Sequence, residues 1–146
     1  MIAQTIQLAL APVFVLVAIG NILNLLSSRL GRVVDRSRHL QERHLATEGP
    51  DHDEVVAEIR LLDQRIRLIT RAVRLMVISG LFIGTTVAVL FLEELVSFNL
   101  QRAAAATFLI AVGLLMWALV LFLRETQISA QQLRIPRTYL ELDRDL

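Results

Sequence analysis

Residues 21–38 read Asn21-Ile22-Leu23-Asn24-Leu25-Leu26-Ser27-Ser28-Arg29-Leu30-Gly31-Arg32-Val33-Val34-Asp35-Arg36-Ser37-Arg38. Up to Ser28 the stretch is uncharged and mostly apolar; from Arg29 onward it is rich in arginine. Its helical rhythm does not change at the switch. Leu26, Leu30, Val33, Ser37, Leu40 and His44 follow one another at alternating steps of four and three residues. That is the spacing of a helix–helix seam, softened by Ser37 and His44. One helix is therefore expected to leave an apolar layer and continue into water. Behind the switch, no ionisable side chain occurs between Met1 and Ser28, although Pro12 removes one helix hydrogen bond and is expected to kink the outer half. Two further uncharged runs cover 75–92 and 103–123. Each run reaches the roughly 18 residues a helix needs to cross a hydrocarbon core. The runs are continuous rather than alternating, which makes a transmembrane barrel a poor alternative.

Composition agrees. A hydrophobic fraction of 55% with a mean hydropathy of +0.58 exceeds that of ordinary soluble domains. At 146 residues the chain has one domain's worth of protein. Cysteine is absent, which removes disulfides, thiolate metal sites and thiol catalysis. The net charge of +1 hides a strong asymmetry. Ten arginines lie between the first two runs, four follow the third, and only Arg102 lies between the second and third. By the positive-inside rule the first linker and the C-terminal tail are expected in the cytoplasm, with the N-terminus and the loop Glu93–Arg102 outside. The opening Met1-Ile2-Ala3-Gln4-Thr5 lacks the basic start of a cleaved signal, so the first run is expected to be a retained anchor.

The expected fold is thus all-α and membrane-integral, a single domain over 1–146 with three transmembrane helices. Their expected bounds are about 5–27, 75–93 and 103–123, with a cytoplasmic antiparallel helical hairpin over about 28–74 and a tail over 124–146. Thr47-Glu48-Gly49-Pro50-Asp51 marks the hairpin's break. Asp51 or Asp53 is expected to cap the second helix. Beyond it Val55, Ile59, Leu62, Ile66, Ile69, Val73 and Met76 repeat the four–three step without a miss. Within the second span Gly80, Gly84 and Ala88 stand at the four-residue spacing that lets membrane helices approach closely. Ala103, Thr107 and Ala111 of the third span are the expected partners. The tail is read as amphipathic, broken at Pro136 and frayed from Glu141.

Two side-chain constellations are candidate sites. Arg29, Arg32 and Arg36 share one helix face just below the first span. They can anchor the helix, attract anionic lipid headgroups, or ring the mouth of an oligomeric pore. A second stripe runs through Asn21, Asn24, Ser28, Asp35 and Glu42. Amides inside a membrane need protein or water as partners. Asp35 and Glu42 are expected to pair with Arg60, Arg67 or Arg71 of the opposing helix. Glu93 and Glu94 close the second span, as a solvated boundary or, in a ring, as a mouth that concentrates cations. His39, His44 and His52 do not have metal-ligand spacing, because a five-residue step turns His39 from His44 by about 140°. No nucleophile–base pair, phosphate-binding glycine loop or deep intramembrane acid stands out. No enzyme activity, cofactor or nucleic-acid binding is therefore expected.

Ile6-Gln7-Leu8-Ala9-Leu10-Ala11-Pro12-Val13-Phe14 in the first span, together with Asn24 through Arg38, resembles the bacterial family of small membrane proteins called domain of unknown function (DUF) 2721. The likeness extends in outline to about Glu125. It supports the architecture and lends no mechanism; a bacterial inner-membrane location is expected. The functional expectation is a homo-oligomeric, channel-like assembly with span one nearest the axis and the arginines at its cytoplasmic mouth. The alternative is a non-conducting scaffold or accessory subunit that binds a protein partner or anionic lipid through the hairpin.

Overall fold

The computed structural model describes residues 1–133 and consists there of three helices, α1 (Ile2–Ala46), α2 (Pro50–Val96) and α3 (Gln101–Gln132). Each is long and apolar enough to cross a membrane. α1 and α2 run far beyond their uncharged stretches, as the unbroken seam spacing predicts. α1 passes through Pro12 without interruption, and α3 continues nine residues past Leu123. The expected break at Pro136 and the frayed end lie outside the described residues.

The turn between α1 and α2 differs from expectation in its cap. The N-cap is Gly49, with Pro50 opening the helix and no side chain closing it. Proline suits the first helical position because it has no N–H to satisfy there. Gly49 has φ 70°, ψ −141°, a conformation that favours glycine. Asp51 and Asp53 fall inside the first turn instead, where their charge suits the helix dipole.

Most buried positions recur every seven residues. They are Thr5, Pro12, Ile19, Leu26, Val33 and Leu40 on α1, and Val55, Leu62, Ile69, Met76 and Ile83 on α2. α2 carries a second set, Ala72, Ser79 and Thr86, and α3 a third, Ala104, Ala111, Ala118 and Glu125. A seven-residue step keeps one stripe of each helix against its neighbours when helices wind around each other with a left-handed twist. The expected seam residues Leu26, Val33, Leu40, Val55, Leu62, Ile69 and Met76 are all in this core.

The register follows from particular pairs. The Thr5 hydroxyl donates to Glu94 at 3.1 Å, and Arg36 bonds Glu58. Between α2 and α3, the Ser79 hydroxyl donates to the Ala111 carbonyl at 2.7 Å and the Thr86 and Thr107 hydroxyls meet at 2.8 Å. The face that α2 turns to α3 therefore differs from the expected small-residue face. α2 meets α3 through Ser79 and Thr86, one helical step round from the glycines. Gly80 faces Leu16 of α1, with 3.7 Å left between Leu16 Cδ1 and the place a Cβ would occupy. Gly84 and Ala88 are exposed. Of the expected partner face, Thr107 and Ala111 do meet α2, whereas Ala103 is exposed.

Candidate functional site

The seven-residue stripe of α3 runs through three alanines and then reaches Glu125. The packing that turns Ala104, Ala111 and Ala118 inward turns this carboxylate inward too, leaving it 0% exposed. Isolated, such a charge would be very costly; paired with well-oriented donors it becomes tolerable. Two donors arrive from the other helices. Arg29 of α1 bonds Oε2 through Nε at 3.1 Å and Nη2 at 2.8 Å. Arg65 of α2 bonds Oε1 through Nε at 3.0 Å, and its Nη1 donates to the Gln132 side-chain amide oxygen Oε1 at 2.7 Å. The Arg29 guanidinium also lies 5.4 Å from the centre of the Phe122 ring, within cation–π range. One carboxylate thus ties all three helices together at the arginine-rich end of the apolar spans.

Sequence reasoning missed Glu125. Standing after Leu123 and Arg124, it reads as part of a charged helix end; its spacing of seven from Ala118 was the available signal. The clamp commits two nitrogens of Arg29 to Glu125, turning its guanidinium between the helices. Arg32 and Arg36 remain exposed beside it. Arg36 meets Glu58 at 2.9 Å, an inter-helix pair not foreseen.

Asn21, Asn24, Ser28, Asp35 and Glu42 are all exposed. Asp35 and Glu42 make no ion pair among the described residues, contrary to expectation. Each lies two residues from a buried seam residue (Val33, Leu40), a rotation of about 200° that turns it away from α2. Arg67 pairs instead with Asp63 of its own helix. Arg71 and Arg74 are exposed. The clamp fixes their depth. Arg71 and Arg74 lie six and nine residues along α2 from Arg65, and Asn24 and Asn21 lie five and eight back along α1 from Arg29. At 1.5 Å per residue both pairs sit about 8–14 Å from the clamp, towards the apolar side. Amides and guanidiniums therefore share one level of the molecule.

At the other end, Glu94 borders a cleft of about 590 Å³ with Gln4, Thr5 and Glu93 along its rim. The His44 and His52 rings stand 4.4 Å apart across the turn.

Three apolar helices, two of them extended into an arginine-rich region, define a multi-pass all-α membrane protein. The chain belongs to the family described as protein of unknown function (DUF2721), whose model matches residues 9–135 and so takes in the whole clamp. No curated protein and no solved structure matches it.

Proposed function

We propose that this protein is a non-enzymatic, homo-oligomeric, channel-like assembly of the bacterial inner membrane, with its N-terminus outside and its arginine-rich helical hairpin in the cytoplasm. The observation that carries the reading is the shared level of Asn21, Asn24, Arg71 and Arg74. The uncharged runs of α1 and α3 end at Ser28 and Leu123, beside the Arg29–Glu125 pair. If the bilayer edge follows those ends, four exposed polar side chains lie within hydrocarbon depth. Ionisable groups there belong in a bundle interior or a water-filled cavity. Neighbouring copies supply both. Reconstituted in liposomes, the protein should pass ions, and Arg74→Glu should change which ions pass. Oligomers that stay silent under voltage, pH steps and tension would remove the channel.

One observation favours the alternative, a non-conducting scaffold that presents its helical hairpin to a protein partner. Trp117 stands eight residues before Glu125, at the level of Asn21 and Arg74, and is 57% exposed. Tryptophan is enriched at membrane interfaces. With the bilayer edge at that level, the polar groups would sit among headgroups and no hydrated path would be needed. Trp117 is the sole tryptophan, so its quenching by lipids brominated at known depths separates the two. Mid-chain quenching supports the channel; quenching confined to headgroup-proximal bromines supports the scaffold.

A further inference from the structure

Just beyond the clamp, Arg29, Arg32, Arg36 and Arg65 line an open groove of about 400 Å³. Val33, Leu62 and Leu133 give it apolar walls, and Ser129 adds a hydroxyl. The four guanidiniums face two carboxylates, Glu125 shared by Arg29 and Arg65, and Glu58 on Arg36. Two positive charges are left over. Arg29 and Arg65 each commit two of their three nitrogens to the hydrogen bonds already described. Arg32 is exposed and, among the described residues, makes neither an ion pair nor a hydrogen bond.

We propose that this groove binds a phosphate group, and that its natural source is the headgroup of an anionic phospholipid. Converging guanidiniums suit a phosphate because it presents several acceptor oxygens to planar forks of donors. The apolar walls suit a lipid rather than a small hydrated ion. Arg29 directly follows the uncharged run of α1, so the groove opens where that run ends. Basic pockets between transmembrane helices on the cytoplasmic side are where such headgroups are held. The proposal rests on the bilayer edge lying at the clamp, as in the channel reading above, and not on oligomerisation or conduction.

The test is native mass spectrometry of the purified full chain in mild detergent, titrated with phosphatidylglycerol or phosphatidylcholine. Phosphatidylglycerol should bind preferentially. Arg32→Glu should weaken it roughly tenfold or more, since reversal changes the local charge by two near a headgroup. Arg32 is exposed and outside the core, so the variant is expected to fold; an unchanged melting temperature confirms that. Arg38→Glu, equally exposed but outside the groove, should bind as the unaltered protein does. Competition by millimolar inorganic phosphate would assign the site to soluble phosphates; persistence of lipid binding assigns it to the headgroup. Equal losses in Arg32→Glu and Arg38→Glu, or no loss in Arg32→Glu, would overturn the site.

Discussion

Arg29 and Glu125, 96 positions apart in the chain, form a two-point charge-assisted hydrogen bond at the edge of the apolar spans, with Nε and Nη2 of the guanidinium on one carboxylate oxygen. Arg65 occupies the other oxygen. The carboxylate has no access to solvent, and the two arginine side chains are only 21% and 14% exposed. This is an electrostatic knot whose members depend on one another. Its absolute worth is small compared with the cost of breaking it, because removal of one partner strands the others.

Glu125→Gln should therefore destabilise the bundle by about 3–5 kcal/mol, the usual cost of leaving a buried charge without its partner. Thermal unfolding in mild detergent measures it. Replacing all three members with apolar residues of similar size (Arg29→Met, Arg65→Met, Glu125→Leu) should recover most of that loss. A Glu125→Gln protein as stable as the original would show that the clamp does not hold the helices together.

The Arg36–Glu58 pair should behave differently. Its side chains are 48% and 37% exposed, so solvent already screens them. Glu58→Gln should cost about 1 kcal/mol or less. The same melting experiment checks it, and a loss comparable to that of Glu125→Gln would contradict the screening argument.

Outside the apolar layer, the seam makes its own forecast. Leu40 is 0% exposed and Leu45 is 89% exposed on the same helix. Leu40→Ala should cost about 2–5 kcal/mol through lost transfer energy and a residual cavity. Leu45→Ala should fall within about 0.5 kcal/mol of the unaltered protein. Equal effects at the two positions would mean that the extensions of α1 and α2 do not pack in solution.

The spans and seams were legible because each rests on a one-dimensional pattern. Uncharged runs mark what can cross a bilayer, and the four–three steps mark the face a helix buries. Rotation among three helices is another matter. Gly80 and Ser79 are adjacent, yet only Ser79 meets α3; which of the two does so depends on where the third helix lies, and the glycine spacing carries no information about that. Glu125 was obscured for the opposite reason. Its type suggested solvent, while its seven-residue register with Ala118 placed it inside. The stripe from Asn21 to Glu42 does occupy one exposed face of α1, but Asp35 and Glu42 on it turn away from α2 rather than towards its arginines. What it faces cannot follow from the chain's own periodicity.

That distinction gives the last prediction. Ser79→Ala removes a buried hydroxyl bond to the Ala111 carbonyl and should cost about 0.6–1.7 kcal/mol, as interhelical hydrogen bonds in membranes do. Gly84→Leu meets open space within the chain, since nothing lies within 4 Å of an added Cβ. It should leave the melting of the three-helix unit unchanged. Its mass in mild detergent is the informative readout. If copies associate through the Gly84–Ala88 face, the leucine will separate them and the mass will fall to that of one chain. If they associate through the Asn21–Asn24 stripe, Gly84→Leu will keep the assembly and Asn21→Leu with Asn24→Leu will dissolve it. A single-chain mass for the unaltered protein would exclude both arrangements, and the channel with them.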